Sequence, residues 1–284
     1  MRLAGAYIQE VLAIREGGSY DPEELIHVFR ITLKRQRAFW RLLSPVIPHE
    51  VFRRENARLR FAKRRLAAGR DEAAALKTMR KITLNARGGK AVDFSLKALS
   101  VLRRRMLRSR NREQALLAFT QVQSDLKTTL KRFEALSPTP RGMRLFEPGL
   151  AIAYRKARQT ARITTNSGEE KFHHWRKRVK DLWYQLAAMH SIWPGLPLEK
   201  LLYRLDVLQE LLGDEHDLAL LKDALNRMPG RFGGSNSVKP VIKTIDFELV
   251  SKRSKAVRLG KKILGQKPGV FVNKMLVKAP PLQE

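Results

Sequence analysis

Apolar residues recur at spacings of three and four along most of this chain. Between 168 and 193 they are Phe172, Trp175, Val179, Leu182, Leu186, Met189 and Trp193; between 22 and 47 they are Ile26, Phe29, Leu33, Trp40, Leu43 and Ile47. Such spacing places one apolar stripe along a helix of 3.6 residues per turn, whereas the period-2 alternation of a strand is nearly absent. The pattern predicts an all-α protein with helices over 4–16, 22–43, 51–68, 71–86, 91–108, 111–135, 149–163, 168–191, 198–213, 215–227 and 238–264. The aromatic residues on these stripes are expected to be core rather than stacking platforms. Two breaks interrupt the periodicity, LSPTPRGMRLFEPG (136–149) and MPGRFGGSNS (228–237), both rich in turn formers. The tail after Gly265 carries three prolines and is expected to pack poorly. No run of 18 apolar residues occurs, so no membrane span is expected, and the N-terminus reads as an amphipathic helix rather than a signal peptide.

The chain also resembles itself. At an offset of 146, Asp21 falls on Ser167, Glu24 on Glu170, His27 on His173, Arg30 on Arg176 and Lys34 on Lys180; later, Pro48 falls on Pro194, Leu66 on Leu212 and Asp71 on Asp217. The first two pairs, D-x-x-E and S-x-x-E, read as capping boxes that start a helix twice. A duplicated unit follows, with repeats at 4–137 and 149–264 in one domain over 1–265, and a tail at 266–284.

Charge alters the picture most. There are 57 Lys+Arg against 27 Asp+Glu, a net +30, and such a field needs a polyanionic partner. The excess is organised. One step round the helix from each apolar stripe lies a basic row: His27, Arg30, Lys34, Arg37 and Arg41 in the first half, His173, Arg176 and Lys180 with Lys177 alongside in the second. Residues at i, i+3 and i+7 share a face, and a rise of about 1.5 Å per residue spreads them over roughly 10 Å. A row on that scale suits a linear anion, with arginine forks and mobile lysines for phosphate oxygens. Each histidine stands early in its helix, where amide dipoles favour anions. A solvated charged face is the bland alternative, but these rows are almost purely positive and border the core. His216 reads as structural, and His49, His174 and His190 have no counterpart at the offset.

FHHWRKRVKDLWYQL (172–186), followed by LDVLQELLGDEHDLALL (205–221), resembles the signature of the CHAD (conserved histidine α-helical domain) family. LIHVFRITLKRQRAFWRLL (25–43) with LRFAKRRLAAGRDEAAAL (59–76) resembles its other half more loosely, Ala67–Ala68 replacing the Leu-Gly pair of 212–213; GLAIAYRKARQTAR (149–162) resembles the basic helix before the second signature. The resemblance implies two pseudo-symmetric bundles of about four helices each around a central basic cavity that binds inorganic polyphosphate, and association with polyphosphate granules in the cytoplasm. It implies binding positions at His27, Arg30, Lys34, Arg37, His173, Arg176, Lys177 and Lys180, with Arg155 and Arg158 in a second rank. Trp183 stands where a basic residue is common in the family, so the second row is the shorter.

Rival chemistries are weakly supported. Glu24-x-x-His27 and Glu170-x-x-His173 match the spacing of two-metal helix bundles, but both glutamates read as caps and cations follow each histidine. Gly260 to Lys267 mimics a phosphate loop without its G-K-[ST] ending, and His49-Glu50 lacks the second histidine of a zinc motif. No cysteine is available as ligand or nucleophile. No catalytic residue, metal or cofactor is therefore expected. The partner expected is polyphosphate, with nucleic acid (RNA above all), bound without sequence preference, as the alternative.

Overall fold

The computed structural model describes residues 22–66, 112–136, 142–193, 195–227, 229–232 and 234–277, together with the isolated helical positions Gln9 and Thr78. The helices predicted over 4–16, 71–86 and 91–108, and the cap at Asp21, lie outside the described residues. Every regular element within them is helical. They are α1 (Pro22–Leu43), α2 (His49–Arg65), α3 (Arg112–Glu134), α4 (Glu147–Thr160), α5 (Glu169–Ile192), α6 (Glu199–Arg227), α7 (Ser235–Ile263) and α8 (Pro268–Val277), with short 3-10 turns at Gly142–Leu145 and Pro229–Phe232. The all-α class read from the periodicity is the one observed.

Packing follows the stripes. Phe29, Leu33 and Trp40 of α1 and Phe172, Trp175 and Val179 of α5 are fully buried, in one hydrophobic core that also takes in Leu59 of α2, Phe133 of α3 and Tyr154 of α4. Helix α1 packs on α2, α4 and α5, while α5 packs on α4 and α6, and α6 on α7. A run of rings carries the core across: Phe133 to Phe39 at 5.3 Å, Phe39 to Phe146 at 5.8 Å, Phe146 to Trp193 at 5.5 Å. The α1–α4 approach depends on Gly149, where a Cβ would overlap the Leu42 carbonyl. Gly260 similarly leaves room for the Trp175 ring.

Three local expectations change. The predicted helices 198–213 and 215–227 are one helix, α6. Gly213 costs about 1 kcal/mol in a helix relative to alanine, but Leu212, Glu215 and Leu218 around it are buried and α7 covers them. The tail is not loose at its start: Pro268 opens α8, Phe271 stacks on Tyr154 at 4.0 Å, and Val272 is buried. Ser167 does not cap α5. Gly168 holds that position in extended conformation, and the Ser167 hydroxyl accepts the Thr164 N–H at 3.1 Å.

Several acidic side chains are spent between helices. Glu55, fully buried on α2, accepts from Arg58, from Thr129 and from Arg132 of α3. Glu215 on α6 accepts from the Arg253 Nε and Nη2 of α7, at 2.9 and 2.7 Å. Asp125 pairs with Arg65 at 3.0 Å and Asp214 with Lys252 at 2.7 Å. Carboxylates placed this way join neighbouring helices and leave most of the basic excess uncompensated.

Candidate functional site

The two rows occupy different surroundings. In the first, His27 is exposed and Lys34 half-buried. Arg30 is 8% exposed, and its Nη1 donates to the Leu66 carbonyl just past the end of α2, so part of its function is to close that helix. Further along α1, the Arg37 Nε donates to Asn56 Oδ1 at 3.2 Å, and the Arg41 Nη2 donates to Asp181 Oδ1 of α5 at 2.8 Å. Arg178 reaches the other Asp181 oxygen at 4.0 Å.

Asp181 is the centre of this cluster. Burial pushes its carboxyl up, while Arg41, Arg178, Arg37 and Lys156 pull it back down. Burial also drives the Arg37 guanidinium down to about 10; neighbouring Arg41 and Arg60 push the same way, and Asp181 only partly offsets them. Arg41 is lowered for the same leading reason, with Asp181 opposing and Arg178 adding to the effect. Four cations from α1, α4 and α5 thus act on one carboxylate, and Arg60 of α2 stands beside Arg37. Like charges held together away from water are unfavourable, and an anion that spans them relieves the repulsion.

The second row runs beside α6. The His173 ring lies 4.4 Å from that of His216, and Arg176 sits over Gly213 within electrostatic reach of Glu215. Glu215 is 1% exposed; burial pushes its carboxyl up, and the Arg253 hydrogen bonds and charge oppose this. Lys177 is exposed and Lys180 half-buried; on α4, Arg155 is exposed and Arg158 half-buried.

The sequence reading had Arg37 and Arg41 but not their companions. Arg60, Lys156, Arg178 and Asp181 stand off the rows, and only the crossing of four helices gathers them. The one visible signal for Lys156 was its place in the basic segment of 149–162.

The sequence model of the CHAD domain family matches residues 3–226. The chain belongs to the CHAD family. Its fold is similar to the crystal structure of the CHAD domain from the plant Ricinus communis, with a TM-score of 0.65 at 17% identity, over 92% of this chain and 88% of that one. No curated relative matches the chain. In this CHAD domain, no helix among the described residues is long and apolar enough to cross a membrane.

Proposed function

We propose that this CHAD protein binds inorganic polyphosphate without chemically altering it, and that it does so on polyphosphate granules in the cytoplasm. The observation that carries the reading is the crowding of Arg37, Arg41, Lys156 and Arg178 about the single carboxylate of Asp181, with Arg60 beside Arg37. A folded chain that maintains such a cluster against burial and repulsion has a use for it, and a string of phosphates answers every charge at once. The first row leads into the cluster through Lys34. The second row, His173, Arg176, Lys177 and Lys180, extends the basic track along α5, and the two halves are the twin walls of one central cavity in this reading.

Binding to long-chain polyphosphate is expected at micromolar affinity or tighter, with log K falling against log salt by about 0.7 per cation engaged, as for single-stranded polyanions. Replacing Lys34, Lys156, Lys177 and Lys180 together by alanine is expected to weaken binding at least tenfold at unchanged helicity. Competition in fluorescence anisotropy tests selectivity. If tRNA at equal phosphate concentration displaces polyphosphate, the protein is a general RNA binder; if the fourfold variant binds as the parent does, the site is elsewhere.

A further inference from the structure

The 146-residue offset that aligns the two histidine rows also aligns α2 with α6, and there the charge inverts. Arg53 falls on Glu199, Ala57 on Tyr203, Arg60 on Asp206 and Arg64 on Glu210. All eight side chains are exposed. In each helix the four stand at i, i+4, i+7 and i+11, which places them in one stripe about 16 Å long on one face. Helix α2 turns its other sides to α1 and α3, and α6 turns its other sides to α5 and α7. The chain therefore carries two solvent-facing stripes of the same spacing, with three cations on one and three carboxylates on the other.

Contacts within the chain leave these groups in water. Glu199 is 70% exposed although His190 comes to 3.6 Å, and Arg53 is 68% exposed with Glu50 at 3.8 Å. Tyr203, set between the carboxylates, is 70% exposed. A ring with an apolar body and a polar tip is a common anchor at protein interfaces. Lys200 and Arg204 border the acidic stripe and Glu50 borders the basic one, so the sign belongs to the stripe rather than to the whole helix.

On a chain of net +30, a polyanion has no use for the α6 stripe. A cationic surface of matched spacing fits it, and α2 of another copy is such a surface. Laid parallel at equal register, Arg53 meets Glu199, Arg60 meets Asp206 and Arg64 meets Glu210, while the Tyr203 ring covers Ala57, the small residue of the opposite stripe. We infer that this chain associates with copies of itself head to tail, the α6 stripe of one copy seated on the α2 stripe of the next. Two different faces meet, so the contact does not close as a twofold dimer does, and each added copy leaves one stripe of each kind free. Three exposed ion pairs and one ring make a weak contact. The net charge opposes it at long range, but at physiological ionic strength that repulsion is screened beyond about 8 Å. The inference does not depend on the polyphosphate reading.

Sedimentation velocity on the full chain tests it, in about 0.15 M salt and without polyphosphate, from micromolar protein to about 1 mM. The weight-average sedimentation coefficient is expected to rise with concentration past that of a dimer. Asp206→Arg with Glu210→Arg makes both stripes basic, and Arg53→Glu with Arg64→Glu makes both predominantly acidic. Each double variant should stay monomeric over the same range, with helicity unchanged by circular dichroism. Their equimolar mixture restores opposite stripes at every contact and should sediment as the parent does. Glu134→Arg with Glu170→Arg reverses two exposed acids off the stripe and should leave association intact; if it does not, net charge rather than the stripes governs association and the inference fails. A parent that remains monomeric throughout, double variants that associate as the parent does, or a mixture that stays monomeric each overturn it as well.

Discussion

Arg37→Gln should make this protein more stable and a poorer polyanion binder at once. Burial and the charges of Arg41 and Arg60 hold the Arg37 guanidinium down to about 10, a difference from its ordinary value worth about 3 kcal/mol against the charged form. Because the folded value lies below the unfolded one, the charge costs the fold free energy throughout the range below about pH 10. Arg37 is only partly buried, so solvent screening reduces the recoverable part to about 1–3 kcal/mol. Glutamine removes the charge, keeps most of the stem, and can still donate to Asn56 Oδ1. At about 2–4 °C per kcal/mol for a domain approaching this size, the melting temperature should rise by about 2–12 °C at low salt, and by less in high salt. Polyphosphate affinity should fall by about tenfold, the loss of one charge-assisted hydrogen bond of roughly 1.5 kcal/mol. Scanning calorimetry and anisotropy on the same preparations measure both. A lower melting temperature together with unchanged affinity would refute the reasoning, because it would mean that Arg37 is a structural residue at ease in its surroundings.

Two further substitutions test the frame that carries the cluster. Gly149→Ala forces a methyl group into the Leu42 carbonyl, and since backbone cannot yield as a side chain does, α4 must separate from α1; a loss of about 3 kcal/mol or more in urea unfolding is expected. Arg253→Ala strands Glu215, which is 1% exposed, and should cost about 3–5 kcal/mol near neutral pH. The sign of its pH dependence follows from Glu215, whose folded value lies above its unfolded one. That group's contribution is full below about pH 4 and is lost as pH rises through the folded value. Without Arg253 the loss deepens, so urea midpoints of variant and parent should converge near pH 4 and diverge by pH 8; a gap independent of pH would mean that Glu215 is not the stranded group.

The distribution of charge explains why a net +30 chain folds at all. Glu55, Asp125, Asp214 and Glu215 are each placed where an arginine or lysine of a neighbouring helix meets them, which turns potential repulsion between helices into ion pairs. Asp181 does this for Arg41 across the α1–α5 contact, but one carboxylate among four cations cannot complete the task. The remainder is what a polyanion would bind.

The sequence by itself determined the helices and their inward faces. Helix α1 at Pro22–Leu43 and helix α5 at Glu169–Ile192 fall within a residue of the segments read from periodicity, and Trp40 and Trp175 are buried as their stripes require. That much is local, because a 3.6-residue repeat fixes which side chains share a face. Where the sequence pattern ends one helix at 213 and starts another at 215, neighbours decided otherwise, for burial against α7 outweighs the modest backbone preference of Gly213. The same holds for Phe271, which packs only because Tyr154 lies across from it, and for Arg30, whose guanidinium closes α2 as well as bordering the row. Arg60, Lys156 and Arg178 carry no pattern that links them, nor do Arg35 and Trp183, which line one cavity between α1 and α5. Helix crossings bring them together from separate parts of the chain, and a face that the sequence marks only as polar becomes a carboxylate-centred cluster or an aromatic cavity according to which helix lies against it.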